Sequence, residues 1–187
     1  MPESFLGDGL IYDELLPLAW IQGVQPQGLE LARLNADNHQ LLGAEATLDD
    51  VRISEALAKE ESSALVHELQ RLEYKLNILL RLTADLAVRS SALPPPQHVR
   101  LSARGLEWFG PAAPHNGSAG LAHLYINPAL PQPLKLPCVV TGERTHESQR
   151  VAQLKFHEVS DAVVDMLEKL IFRHHRRLVA GARTSAS

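Results

Sequence analysis

From Thr47 to Ser90 the chain runs through some 40 residues without a glycine or a proline. Inside that run Leu65, Leu69, Leu72, Leu76, Leu79, Thr83 and Leu86 keep strict 4-3-4-3-4-3 spacing, and six of the seven are leucine. This pattern is the a/d seam of a coiled coil, narrower than the apolar face of an ordinary surface helix. A helix of that length is roughly 60 Å long, far beyond the three or four turns common in globular proteins. No helix can bury its own seam, so a partner helix must cover it, from this chain or from another copy. Burying six leucines stabilises by on the order of 10–15 kcal/mol gross, before the entropy of association is subtracted. The first expectation is therefore a homo-oligomer.

A shorter helix is predicted ahead of this one, from about Gln27 to Gly43, with Leu31, Leu34, Asn38 and Leu41 at 3-4-3 spacing. Asn38 has two readings: a buried seam residue that fixes register and oligomer number, or a solvated residue at the rim of a short helix. Residues 44–50 read as a break. Thr47 followed by Leu48, Asp49 and Asp50 has the form of a helix start, a hydroxyl cap with acids in the first turn, and the second helix is predicted over about 47–90. Residues 1–25 are too apolar to be a free tail, and Pro17 argues against one helix through them; this arm is expected to pack on something.

Pro94, Pro95 and Pro96 end the helical region. Beyond them come short alternating or β-branched runs: His98–Leu101, Gly105–Phe109, Leu121–Ile126, Leu136–Thr141 and Val151–Phe156. Turn clusters separate them, at Gly110-Pro111, Asn116-Gly117-Ser118, Asn127-Pro128 and Thr141-Gly142-Glu143. Five or six short strands with no helix between them predict a small antiparallel barrel or sandwich. A last helix is predicted over about 160–179, with Ser160 as its cap and Val163, Met166, Leu167, Leu170 and Ile171 as its apolar face. The charge divides along the same line. Residues 1–92 carry 15 acids and 7 bases, and residues 93–187 carry 7 acids and 11 bases, which sum to the net charge of −4.

The sequence carries no spacing that marks enzyme chemistry, which disfavours an enzyme. No metal-ligand spacing, phosphate-cradling glycine loop or nucleophile elbow is found. Cys138, the single cysteine, sits in an apolar strand and reads as a buried, inert thiol that allows no intrachain disulfide. No stretch is long and apolar enough to span a bilayer and no signal peptide is visible, so a cytoplasmic protein without membrane insertion is expected. Trp108, Phe109 and Tyr125 are better explained by core packing than by stacking on bases, which leaves out a nucleic-acid polymer as partner. One short motif stands out. Arg100-Leu101-Ser102-Ala103-Arg104-Gly105 places a hydroxyl before a tight turn, where Ser102 and nearby backbone N–H groups can face a phosphate. The plainer reading is a β-hairpin that uses Gly105 for positive φ.

The order of Leu101-Ser102-Ala103-Arg104-Gly105-Leu106, the strand Gly120–Ile126, Leu154-Lys155-Phe156 and the basic helix end Phe172–Arg177 resembles the PilZ domain. That family is a six-stranded β-barrel with a C-terminal helix, and many members bind cyclic di-GMP. With Leu72-Glu73-Tyr74-Lys75-Leu76-Asn77 on a heptad helix ahead of it, the whole chain resembles the atypical, tetramerising PilZ proteins. The resemblance implies an α+β chain: N-terminal coiled-coil helices in residues 1–92 that assemble a homotetramer, then a six-stranded antiparallel barrel with its C-terminal helix in residues 93–187. It implies a non-enzymatic signalling adaptor in cyclic di-GMP-linked regulation, with a protein partner and no cofactor. Nucleotide-binding PilZ domains carry Asp/Asn-x-Ser-x-x-Gly and an Arg-x-x-x-Arg pair just before the first strand. Here Ser102 and Gly105 match, Arg100 stands at the Asp/Asn place, and the segment from Arg89 to Gln97 lacks the pair. Weak or absent cyclic di-GMP binding is expected. The alternative is a genuine receptor with an altered site built from Arg100, Ser102, Arg104 and Gly105.

Overall fold

The structure is a computed structural model; it describes residues 5–7, 9–57, 71, 72, 74–76, 78, 79, 82, 93–127 and 132–184. The elements in order are β1 (Tyr12–Gln22), α1 (Gly28–Leu57), β2 (Pro96–Leu101), β3 (Gly105–Phe109), β4 (Ala119–Leu124), β5 (Leu134–His146), β6 (Gln149–Phe156) and α2 (Asp161–Thr184). The six strands close an antiparallel barrel in the order β1-β2-β3-β6-β5-β4. Period-two alternation fills it: Leu16, Leu18, Val99, Leu101, Leu106, Trp108, Ala122, Leu124, Leu136, Cys138, Val140 and Leu154 are all buried. Cys138 is fully buried and its thiol donates to the Leu136 carbonyl at 3.2 Å, while burial pushes its pKa far up. It is the inert core thiol that the sequence predicts.

The barrel is not confined to residues 93–187. Its first strand is the N-terminal arm, which the sequence grouped with the helical region of residues 1–92. Pro17 explains how a proline sits within that strand. Tyr12–Pro17 pairs with β2 and Leu18–Gln22 pairs with β4, so Pro17 lies where the strand changes neighbour. Its carbonyl still accepts from the Tyr125 N–H at 3.0 Å.

The break read at residues 44–50 is not there either: α1 runs through it as one helix of 30 residues. Thr47 is no cap. Its Oγ1 donates one turn back to the Gly43 carbonyl at 3.0 Å, which satisfies the hydroxyl within a continuing helix. Asn38 follows neither of its two readings. It is buried, donates Nδ2 to the Lys135 carbonyl at 2.8 Å and accepts from the Lys135 N–H at 2.9 Å. Asn35 repeats the arrangement one turn earlier, donating to the Glu158 carbonyl at 3.1 Å and accepting from the Ser160 N–H at 3.0 Å. With Leu34, Leu41 and Leu42 buried beside them, the first half of α1 is stapled to the barrel and α2. α2 starts where predicted, with Ser160 Oγ accepting from the Val163 N–H at 3.4 Å.

Of the seven seam positions, Leu72, Leu76 and Leu79 are helical and 58%, 59% and 61% exposed. Leu65, Leu69, Thr83 and Leu86 lie outside the described residues. No helix of the described residues is long and apolar enough to cross a membrane.

Candidate functional site: the Ser102–Gly105 turn and its pocket

The β2–β3 hairpin turns at Ser102–Gly105. The Ser102 N–H donates to the Gly105 carbonyl at 2.9 Å, and Ser102 Oγ donates to the same oxygen at 3.1 Å while receiving the Arg104 N–H at 3.4 Å. The hydroxyl therefore closes its own turn. Gly105 is not required for positive φ. It is required by close approach: a Cβ there would lie 2.7 Å from the Leu154 carbonyl oxygen and 3.3 Å from the Phe5 ring. The N-terminal arm thus lies against the turn.

Beside this turn opens a pocket of about 580 Å³, walled by Leu6, Leu10, Ala103, Ile171 and Phe172 and edged by Arg104, Lys169, Asp165 and Glu168. That volume is in the range of small-molecule sites. The two cations are matched by two carboxylates, so the pocket offers no net attraction to an anion. The arm and α2 residues were missed in the sequence because they lie far from the turn along the chain. The one signal was Phe172, an aromatic on the polar side of an otherwise well-ordered apolar stripe.

Arg100 is not with the turn. It stands on the outer face of β2, directly opposite Asp13 of β1 and Glu107 of β3. Its guanidinium lies 3.2 Å from Glu107 Oε2 and 3.5 Å from Asp13 Oδ2. Glu107, only 3% exposed, also takes two hydrogen bonds from Arg144 at 3.1 and 2.9 Å and one from Gln153 at 3.3 Å. Burial raises the Glu107 pKa, but the bonds from Arg144 and Gln153 and the two guanidinium charges outweigh it and hold the carboxyl below its ordinary value. Arg100 and Arg144 are thereby held by a buried carboxylate. Of the four candidate residues, Ser102, Arg104 and Gly105 share the turn and Arg100 belongs to this outer network. Arg104 is exposed and has no ion pair among the described residues. His98 extends the network, 2.7 Å from Asp13, and stacks on Phe109 with ring centroids 4.2 Å apart. Among the described residues no cluster of side chains could hold a metal ion.

The first barrel strand also moves the place where an arginine pair would stand. The segment before β1 is residues 1–11, Met-Pro-Glu-Ser-Phe-Leu-Gly-Asp-Gly-Leu-Ile, which contains two acids and no base.

A closed six-stranded barrel with a Ser-x-x-Gly turn between β2 and β3 and a helix following β6 has the PilZ architecture. The family model of the atypical PilZ domain, described as a cyclic di-GMP receptor, matches residues 42–184, and the chain belongs to that family. The chain is also similar to a pathogenic protein from Xanthomonas campestris, at 29% identity over 92% of each chain and with a TM-score of 0.74. The crystal structure of that protein is described as a new tetrameric PilZ domain self-assembled via an unusual helical bundle. No curated protein matches this chain.

Proposed function

We propose that this chain is a non-enzymatic adaptor of cyclic di-GMP-linked regulation, assembled through its helices and with its own nucleotide grip dismantled. The observation that carries the reading is the capture of Arg100 by Glu107 and Asp13. A guanidinium already paired with two carboxylates must give up those bonds before it can take a phosphate. The base-free segment ahead of β1 and the charge-balanced pocket point the same way. Assembly is supported by three leucines of the heptad seam that are each more than half exposed. The described tetramer of the Xanthomonas campestris protein supports the same number of copies here. An oligomer would present several barrels at once to a protein partner in the cytoplasm, raising avidity without new contacts.

Titration calorimetry with cyclic di-GMP, paired with light scattering on the same sample, tests both halves. The expected result is no saturable heat and a mass of four chains. Micromolar binding to an otherwise unchanged tetramer would overturn the dismantled grip, and a monomer would overturn the assembly. One observation favours a second reading, a receptor with an altered site: Arg104, with no ion pair among the described residues, stands at the edge of the pocket with Lys169. On that reading Arg104→Ala abolishes the heat; on the first there is none to lose.

A further inference from the structure

α2 has two faces. Val163, Leu167, Leu170, Ile171 and His174 are buried against the barrel and α1. At 100° per residue the opposite face carries Asp161, Asp165, Glu168, Phe172, Arg176 and Val179 in one stripe at 4-3-4-4-3 spacing. All six are exposed. Phe172 is 51% and Val179 40% exposed, and Leu10 of the arm is 42% exposed beside Phe172 in the pocket wall. Within the described residues none of Asp161, Asp165, Glu168 and Arg176 forms an ion pair. The Arg176 guanidinium lies over the Phe172 ring, 6.0 Å from its centroid. The stripe therefore runs from acid through an aromatic centre to base, with its charges unpaired among the described residues.

Such a stripe is complementary to itself in one orientation. In an antiparallel copy related by a two-fold axis at Phe172, the two Phe172 rings meet, Glu168 faces the second copy's Arg176, and Asp165 faces its Val179 one turn further out. A parallel copy would set Glu168 against Glu168 and Arg176 against Arg176. We propose that two copies of this chain pair antiparallel through the outer face of α2, about a two-fold axis at Phe172. The interface is isologous, so each favourable contact occurs twice. Each apolar centre also has a receptacle, since the pocket beside Phe172 is walled by Leu6, Leu10, Ala103 and Ile171. The surface is separate from the leucine seam and does not depend on it.

The register is testable by cysteine pairing in the full chain, because Cys138 is buried and is the only native cysteine. Positions 165 and 179 face each other across the axis, and neither faces itself. The double variant D165C/V179C is expected to form covalent dimers under mild oxidation about tenfold faster than D165C or V179C alone, reflecting the effective concentration of a matched site. Equal rates in all three would overturn the register. On the D165C/V179C background, E168R and R176E are each expected to slow crosslinking about fivefold, and the combined swap E168R/R176E to restore it. A combined swap as slow as either single change would overturn the pairing. Circular dichroism melting of each variant separates these outcomes from unfolding: only variants with the parental melting curve are scored. Ala162, exposed on α2 but off the stripe, supplies the control: A162C is expected to crosslink no faster than D165C alone, and a rate matching the double variant would overturn the proposal.

Discussion

Asn38 shows how a buried polar side chain on a helix can belong to a strand. Its amide makes both available hydrogen bonds to the Lys135 backbone, at 2.8 and 2.9 Å, where β5 begins. Asn38→Leu keeps the volume and leaves the part-buried Lys135 N–H and C=O without their partners, which costs about 1–3 kcal/mol for each group that water does not reach. We expect urea denaturation to report a loss of about 2–4 kcal/mol; a loss below about 1 kcal/mol would mean that water reaches both groups. A second residue sets a pH dependence. His174 is buried, stacks on Tyr12 at 3.9 Å and holds Nε2 3.6 Å from Glu14 Oε1. Burial lowers its pKa, and the nearby Arg177 and His175 lower it further, against the opposing pull of Glu14 and Asp13. A depressed histidine pKa means that the unfolded chain binds the proton more readily. Stability from this group is therefore complete above about pH 6.5, falls as the pH drops through that value, and is lost below the folded pKa. His123 is depressed too, by burial and by Lys135. Melting temperature should fall from pH 7 to pH 5, with a shallower slope in His174→Phe and a shallower one still when His123→Asn is added. An unchanged slope in the double variant would assign the fall to other groups.

Among the elements, the β5–β6 hairpin turns through Glu147 and Ser148, with His146 paired to Gln149. Both turn residues have positive φ, 47° and 67°, the signature of a two-residue type I′ turn that asparagine and glycine fit best. E147N/S148G is expected to raise stability by about 0.5–1 kcal/mol in chemical denaturation; no gain would show that the rest of the hairpin, not its turn, sets the cost. This turn also marks what was legible in the sequence. Strands β2 to β6 each announced themselves by an alternating or β-branched run, because each has one face in the barrel and one outside, but Thr141-Gly142-Glu143, read as the turn before the last strand, lies inside β5, where its pairing with β6 shifts register. β1 did not, since Leu15 to Ile21 is a nearly continuous apolar run interrupted by a proline, and a strand that changes partner midway has no local signature. Thr47 was misread because a hydroxyl ahead of two acids is a cap by composition, and only the bond back to Gly43 distinguishes an interior threonine. At the site, the Ser102–Gly105 turn was readable and the role of Gly105 was not, because the Leu154 carbonyl that excludes a side chain lies about 50 residues away. The fate of Arg100 was readable in principle: Glu107 lies directly across a hairpin whose turn had been located.

For the whole molecule, the decisive feature is that the barrel core and the leucine seam share no described residue. The barrel is closed by strand pairing around fully buried leucines, and the docked half of α1 adds Leu34, Leu41 and Leu42 to it. Leu72, Leu76 and Leu79 remain outside, each exposed by more than half. Glutamate at Leu72 and Leu79 should therefore strike assembly and spare the barrel. Each substitution replaces an apolar side chain worth roughly 1.5–3 kcal/mol on burial with a charge that cannot enter a dry seam. In an assembly of several copies the like charges also face one another. If the proposed assembly forms through the seam, L72E/L79E is expected to scatter light as a smaller species than the unsubstituted chain at micromolar concentration. Its near-ultraviolet circular dichroism, which reports Trp20 and Trp108 packed in the barrel, should stay native. The melting temperature should fall and depend less steeply on protein concentration, because folding would stay linked only to the pairing through α2. If the mass is unchanged, the seam is not the assembly surface; if the near-ultraviolet signal collapses as well, the barrel cannot stand without the bundle, and the two halves fold as one unit.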